Sequence, residues 1–436
     1  MEASCIFHET FKERPYWWDD YAPVALNLAE VPSEARVAII GAGYAGLSTA
    51  LELSKLGIEA VVFDAEEPGY GASTRSGGMV GGSASLKNPM IGAPPGPERV
   101  GAMMSDAGDA FDLLERLIRE EKIDCDWSRT GRFIGAWTKK HLFKMKQQAQ
   151  WMNEHSRAGA QVVSRDEQHN EIGSDFYYGG MVTQAAGHLQ PALYYKGLLD
   201  ACRRHKVTIC AKAPVTNLRQ QNAGWRLVTE RGETSAGDVV IATNGYTGSI
   251  TPQFERRVVP IQPYMIATEP LDKDLAQNLS PKNRSFADTR RIVSFYRLSS
   301  DKRRLLYGSR VKWRNLTPKQ MAPALYDNML QRYPQLEGCK ITHAWNGNVA
   351  ITFDEQHHMG KMEGLHYAMG CNGTGVAMMT YLGTQLARKI AGTVNKPCAF
   401  ESEFPAHPLY NGKSRWFLPV VGNYFRFRDW WDRKTS

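Results

Sequence analysis

Residues 37–64 read VAIIGAGYAGLSTALELSKLGIEAVVFD, and this stretch leaves little freedom in what the first part of the chain can become. VAII is a short continuous apolar run, as expected of a strand buried on both faces of a parallel sheet. GAGYAG follows at once. LSTALELSKLG then carries apolar residues at helical spacing and stops at Gly57. EAVVFD reads as a second strand that ends at Asp64. Gly41 permits a tight turn, Gly43 lets backbone approach a pyrophosphate, and Gly46 lets the helix pack close to the strand. Tyr44 and Ala45 open the helix, where free N–H groups face phosphate charge. Asp64 stands 18 residues after Gly46 and is followed by Ala65. Its carboxylate accepts ribose hydroxyls and would repel a 2′-phosphate. A glycine fingerprint in this strand–helix context identifies a dinucleotide site, without separating NAD from FAD.

The next feature argues for more than a plain dehydrogenase. GYGASTRSGGMVGGS at 69–83 holds six glycines in fifteen positions, with Arg75 in the middle. No packed core needs that composition. Such a segment can wrap a flat ring and a ribityl chain with backbone amides. Gly71, Ala72, Gly77 and Gly78 give close approach, Ser73 and Ser76 offer donors, and Arg75 offers charge to phosphate or to an electron-rich ring edge.

GYGASTRSGG resembles the G-x-GAS-x-R-N-GG segment of FAD-dependent oxidoreductases of the D-amino-acid oxidase type, in the gamma-glutamylputrescine oxidase-like branch. Ser76 stands where that branch has Asn. The likeness runs through most of the chain. GHLQPALYYKGLLDACRRHKVTIC at 187–210 resembles the family's helix before a strand, with Leu-Gln-Pro for the usual His-Pro. Val215 matches the position whose backbone meets the adenine. GDVVIATNGYTG at 237–248 resembles the buried strand ending in A-T-N-G, which implies Thr243, Asn244 and Gly245 at the cofactor. YAMGCNGTGVAMMTYLGTQLARKI resembles the C-terminal flavin motif. Gly370, Asn372, Gly373, Thr374, Gly375 and Val376 then lie at the ring, and a helix start aimed there favours the anionic reduced flavin. Cys371 replaces a frequent aromatic, Thr374 replaces the His of G-H-G, and Asn346 changes W-G-G. With Asn348, Val349 and Ala350 after Trp345, no cysteine stands where some relatives attach FAD, so the expectation is non-covalent FAD.

The resemblance implies an α/β fold, a Rossmann-like FAD-binding domain with a mixed-sheet (α+β) substrate domain. The FAD-binding domain is expected over 34–90, 188–258 and 336–398, and the substrate domain over 91–187 and 259–335. The tail 399–436, basic and aromatic, is expected to dock on the FAD-binding domain rather than on a membrane surface. Segments 100–122 and 139–158 read as helices, and 131–137 and 259–267 as strands. Tyr264 and Tyr296 are expected to line the substrate face, Arg297 to hold a substrate carboxylate, Trp345 to pack beside the ring, and Arg75 to sit near it. The implied reaction is oxidation of a small-molecule amine or amino acid, by hydride transfer from the carbon next to nitrogen to flavin N5. The imine hydrolyses, and O2 or an electron carrier takes the electrons. Alternatives within the family are secondary amines such as pipecolate or sarcosine, and a dehydrogenase using a quinone or carrier. A non-catalytic flavoprotein is the alternative from another class.

Composition excludes several other classes. The formal net charge is +8, but basic residues are scattered rather than striped, which argues against nucleic acid. Seven cysteines without a C-x-x-C pair fit a reducing compartment, and neither they nor His357-His358, read as a surface pair, suggest a metal site. No run of about 18 uncharged apolar residues offers a membrane span. The N-terminal residues lack a basic region followed by an apolar core, so a cytoplasmic protein is expected.

Overall fold

The structure, a computed structural model, describes residues 6–25, 29–83, 93–221, 224–313, 316–394, 396–413, 415 and 417–436. The expected domain boundary at 90/91 falls outside these residues. Two sheets organise the described chain. The first has eight strands, and its centre is the parallel set Gly232–Ile241, Glu34–Ile40 and Ala60–Phe63, extended by Thr208–Cys210. Val37, Ala38 and Ile39 are fully buried, as strands covered on both faces must be. Leu365–Met369 pairs in parallel with the end of Gly232–Ile241, so the chain returns to this sheet late.

Two helices cover the parallel strands side by side, Tyr44–Lys55 and Gly375–Ile390. Their contact is a backbone contact. A Cβ on Gly383 would run into the Ala45 carbonyl, and the Thr49 hydroxyl donates to the Gly383 carbonyl at 3.0 Å. Gly383 lies eight residues into its helix, so the start of that helix stands about 12 Å along its axis from the glycine turn.

The second sheet has nine strands, in the order Phe7–Lys12, Ile341–Asn346, Tyr264–Thr268, Leu305–Ser309, Phe295–Leu298, Ser285–Asp288, Arg132–Gly135, Gly180–Thr183 and Ala160–Val163. Three expectations need correction. Ile341–Asn346 belongs to this sheet, although 336–398 was assigned to the FAD-binding domain; it pairs antiparallel with Tyr264–Thr268. The single strand expected over 259–267 is two. Val258–Ile261 pairs with Val349–Thr352, and Tyr264–Thr268 enters the large sheet. Pro263 lies at the break, where its missing N–H cannot serve a ladder. The tail does not dock as one piece. Its early part lies against the eight-stranded sheet and the strand Val258–Ile261: Met359 N donates to the Phe400 carbonyl at 3.0 Å and Tyr410 Oη to that of Val258 at 3.2 Å. The helix Leu418–Lys434 instead packs at the end of the nine-stranded sheet, where Asp429 Oδ1 accepts from Arg291 N at 2.9 Å and Gly422 lies against the Trp313 indole.

Candidate functional site

Three glycine turns meet between the two sheets. At the first, Gly41 has φ +107°, and a Cβ there would stand 2.8 Å from the Ala242 carbonyl oxygen. A Cβ on Gly46 would run into the Gly41 carbonyl, so the helix can approach the strand only with glycine. Gly43 precedes the helix without a side-chain cap, and Ser73 Oγ accepts from Tyr44 N at 3.2 Å at the helix start. The Tyr44 ring turns inward and its hydroxyl donates to the Ser73 carbonyl at 2.6 Å. Asp64 accepts from Ala42 N at 2.8 Å and Glu66 N at 3.0 Å. Burial nevertheless pushes its carboxyl above the ordinary value. Ala213 N donates to the Asp64 carbonyl at 2.8 Å, which lays the approach to Val215 alongside Asp64 and the exposed Ala65.

The second turn is held by its carbonyls. Trp345 Nε1 donates to Arg75 O at 2.8 Å, Trp17 Nε1 to Ser76 O at 2.8 Å, Arg297 Nε to Gly77 O at 2.9 Å and Leu189 N to Gly78 O at 2.8 Å. Four consecutive carbonyls are thus bound to the nine-stranded sheet and its neighbours. Gly78 has φ +66°, and its missing Cβ makes room for the Leu189 carbonyl. Just before these, Gly71 lies 3.6 Å by its would-be Cβ from the Tyr246 ring. The Arg75 guanidinium lies between Trp18 and Tyr70, 4.6 and 4.7 Å from their ring centres, and Nε donates to the Tyr70 carbonyl.

The third turn runs from Gly370, φ +79°, through Asn372, φ +44°, and Gly373, φ +83°, to the helix start at Gly375. Nothing stands within 4 Å of a Cβ built on Gly373. Asn244 Oδ1 accepts from Gly370 N at 3.1 Å and Cys371 N at 3.4 Å, which ties Thr243–Gly245 to this turn. Asn372 is buried, donating to Gln356 O at 2.8 Å and accepting from Thr352 N at 3.0 Å. Thr374 does not cap the helix with its side chain; its hydroxyl meets His357 Nε2 at 3.2 Å. His357 is not a surface residue. It is buried, and its Nδ1 donates to the Gly370 carbonyl at 2.6 Å. His358 is buried too, stacked on Phe404 and 3.0 Å from Asp354. Val376 is buried behind the turn, and Cys371 Sγ lies 3.9 Å from the Ala350 carbonyl.

The residues expected to face substrate divide by the alternation of the strands. Met265, Ala267, Leu306 and Trp345 form a cluster with Trp17 on the face toward the second turn, and Phe295 and Met265 approach Gly77. Tyr264 and Tyr296 point to the other face. Tyr264 Oη donates to Leu316 O at 2.7 Å. Tyr296 is fully buried, stacked between Phe286 and Tyr307, with its hydroxyl 2.8 Å from that of Tyr177. Neither lines a substrate face. Arg297 faces the right way but is closed: its guanidinium donates to Gly77 O, to Leu189 O at 2.6 Å, to Leu298 O at 3.1 Å and to His188 Nδ1 at 3.2 Å. It fastens the loop and has no room for a substrate carboxylate.

Sequence reasoning missed the open rim of the site. Asn348 donates to Gly245 O at 3.2 Å and accepts from Gln262 Nε2 at 3.1 Å. Arg310 Nη1 donates to Gln262 O at 2.8 Å, its guanidinium lies over Trp313, and its buried Nε has no hydrogen-bond partner among the described residues. Burial pushes the Arg310 guanidinium down to about 10. Gly347 touches Arg75, so this rim continues to Arg75, Tyr70 and the half-exposed Tyr246. The only sequence hint was the pair of Arg residues, Arg297 and Arg310, at the two ends of one hairpin.

The family model described as FAD dependent oxidoreductase (DAO) matches residues 36–389. The chain belongs to the DAO family of FAD-dependent oxidoreductases. It is 30% identical to gamma-glutamylputrescine oxidoreductase of Escherichia coli K12, over 90% of this chain and 92% of that protein. Among solved structures, glycine oxidase from Geobacillus kaustophilus superposes with a TM-score of 0.71 at 18% identity, covering 88% of this chain and 100% of that one. L-proline dehydrogenase from P. horikoshii gives 0.70 at 16% identity, over 86% and 96%. At these identities the two structures speak for the fold alone.

The DAO chain fits its FAD. Gly41 and Gly46 let the turn and the helix close tightly on the strand, Gly373 opens onto free space, and neither N-cap residue, Gly43 or Thr374, caps its helix with its own side chain. Negative charge is favoured at the first start and electron-rich ring atoms at the second.

Two predictions concern this framework. Arg297→Met should leave the Gly77 and Leu189 carbonyls without their donor, cost about 3 kcal/mol in denaturant unfolding and weaken FAD retention. A variant of wild-type stability with only a raised KM would restore the substrate-anchor role. The second concerns pH. Burial pushes His357 down from 6.5 to about 4. Below pH 6.5 the unfolded chain therefore takes up a proton that the folded chain refuses. Stability should fall as pH drops from 6.5 to about 4, by on the order of 3 kcal/mol from this group. In thermal unfolding across that range, His357→Gln should show the shallower decline.

Proposed function

We propose that this DAO-family chain oxidises a primary amine that also carries a carboxylate, of the gamma-glutamyl amine or amino-acid class. The observation that carries this reading is Arg310, a guanidinium at the rim of the flavin cleft whose buried Nε has no partner among the described residues. A carboxylate supplies the acceptor such a donor lacks. The likeness to gamma-glutamylputrescine oxidoreductase supports the same class.

FAD, when bound, accepts the hydride from the carbon next to nitrogen. The chain's part is to bind, orient and keep out water. Trp345, Met265 and Phe295 form an apolar wall, and a neutral amine is the form that loses little on leaving water for it. Tyr246, Tyr70 and Trp18 flank the entrance, and Arg310 fixes the far end of the substrate. The imine product hydrolyses on release to an aldehyde or keto acid. O2 is the acceptor in this reading, and the reaction runs in the cytoplasm. The DAO fold also serves a structure named L-proline dehydrogenase, so a carrier in place of O2 is the second reading.

Anaerobic mixing with gamma-glutamyl amines, polyamines, D- and L-amino acids and N-methyl amino acids tests the proposal. Carboxylate-bearing primary amines should bleach the flavin's visible band, and air should restore it with hydrogen peroxide. Arg310→Met should raise KM for them by roughly 100-fold, the value of a charged hydrogen bond. Bleaching by N-methyl amino acids alone would move the substrate to secondary amines. Return of colour only with a quinone would make the chain a dehydrogenase, and no bleaching at all would favour a non-catalytic flavoprotein.

FAD is held without a covalent bond in this reading. Cys371 is the cysteine at the third turn, and its Sγ points to the Ala350 carbonyl. Acid precipitation should leave the flavin in the supernatant; a yellow pellet would show attachment.

A further inference from the structure

The helix Leu418–Lys434 shows an apolar stripe that no described residue covers. Val420 is 65% exposed, Tyr424 52%, Phe427 54% and Trp431 49%, at spacings of four, three and four that put them on one face. Trp430, 48% exposed, widens it. An exposed patch of this kind marks an interaction surface.

The charges are sorted around it. Both acidic residues of the helix turn inward. Asp429 accepts from Arg291 N and, at 3.1 Å, from Ile292 N, and Asp432 pairs with Arg291 at 2.6 Å. Arg426, Arg433 and Lys434 pair with no carboxylate among the described residues; Arg426 donates to Val311 O and Arg433 to Trp137 O. With Arg290, Trp137 and Trp430 they line an open pocket of about 490 Å³ beneath the helix. Its own carboxylate, Asp429, is committed to backbone N–H groups.

We propose that this helix docks flat on an anionic phospholipid surface, with the aromatic stripe at the headgroup level and the unpaired cations along its flank drawn to lipid phosphate. Aromatic side chains with arginine and lysine beside them suit the boundary between headgroups and acyl chains. Charge decides against a second copy of the chain: two such helices face to face would bring their unpaired cations together, on a chain of formal net charge +8. No helix among the described residues is long and apolar enough to cross a membrane, so the contact is peripheral. The anchor sits next to the flavin cleft, because Gly422 packs on Trp313 and the Trp313 ring lies against Arg310.

The test is sedimentation of the FAD-loaded protein with phosphatidylcholine–phosphatidylglycerol vesicles and with phosphatidylcholine vesicles alone. It should pellet with the anionic vesicles and be released by high salt. Phe427→Ser combined with Trp431→Ser should lower the apparent affinity by about tenfold or more, and Arg426→Gln with Lys434→Gln should abolish the preference for the anionic lipid. The flavin spectrum and thermal midpoint should stay as in the wild type. Equal recovery in the supernatant with both vesicles would overturn the proposal, as would unchanged binding by the serine variant. So would light scattering that shows a dimer which the serine variant dissociates, without vesicle binding.

Discussion

The site depends on how residues 75–78 are held. Glycine-rich backbone gains no order from its own side chains, and fixing it is entropically expensive. Here the cost is met by four donors from three places: Trp17 near the N-terminus, Trp345 and Arg297 on the nine-stranded sheet, and Leu189 before a helix. With the carbonyls engaged toward that sheet, the other side of the loop is free to meet a cofactor. Two of the four bonds, from Trp345 and Arg297, tie the loop to the nine-stranded sheet, so a change in that sheet is felt at the loop directly.

Arg297 shows how such a bond can look like chemistry in a sequence. A buried guanidinium must satisfy its donors. It does so on main-chain carbonyls and on neutral His188, whose imidazole burial pushes down to about 3. His188 Nε2 donates to Asn283 O at 3.0 Å, which leaves Nδ1 as acceptor for Arg297. Four of its five N–H groups meet these partners. Arg310, at the other end of the same hairpin, has a buried Nε without a partner among the described residues. The difference between a structural and a functional arginine lies in these partners, and nothing in FYRLSS or YGSR encodes it.

Some of this was legible in the sequence. The βαβ beginning was readable because each glycine answers a local steric demand, at Gly41 a positive φ and at Gly46 a helix–strand contact. The third turn was readable for the same reason. The faces of the substrate sheet were not, although alternation carried a usable warning: Tyr296 and Arg297 are neighbours on one strand, so both cannot face the flavin. Trp17 and Trp18 went unnoticed in PYWWDD because their partners are more than fifty residues away, Ser76 and Thr74. His357-His358 was misjudged because burial of a histidine depends on carbonyl, hydroxyl and carboxylate partners that only the fold assembles.

The departures from the family's motifs bear on whether the site is alive. A motif drifting after loss of function would leave buried polar groups unpaired. The changed positions here are repaired by their surroundings. Gln190, in place of the histidine before Pro191, accepts from Ala192 N at 2.6 Å and Leu193 N at 3.0 Å to cap the helix, and its amide reaches Trp17 O at 3.1 Å. Thr374 finds His357. Cys371 fits beneath Gly375, where a Cβ would already be 2.9 Å away. Gln190 and Thr374 have partners that suit them and Cys371 fits its space, while Gly373 beside them stays open. Paired polar groups around an open glycine turn are what a retained FAD cradle requires.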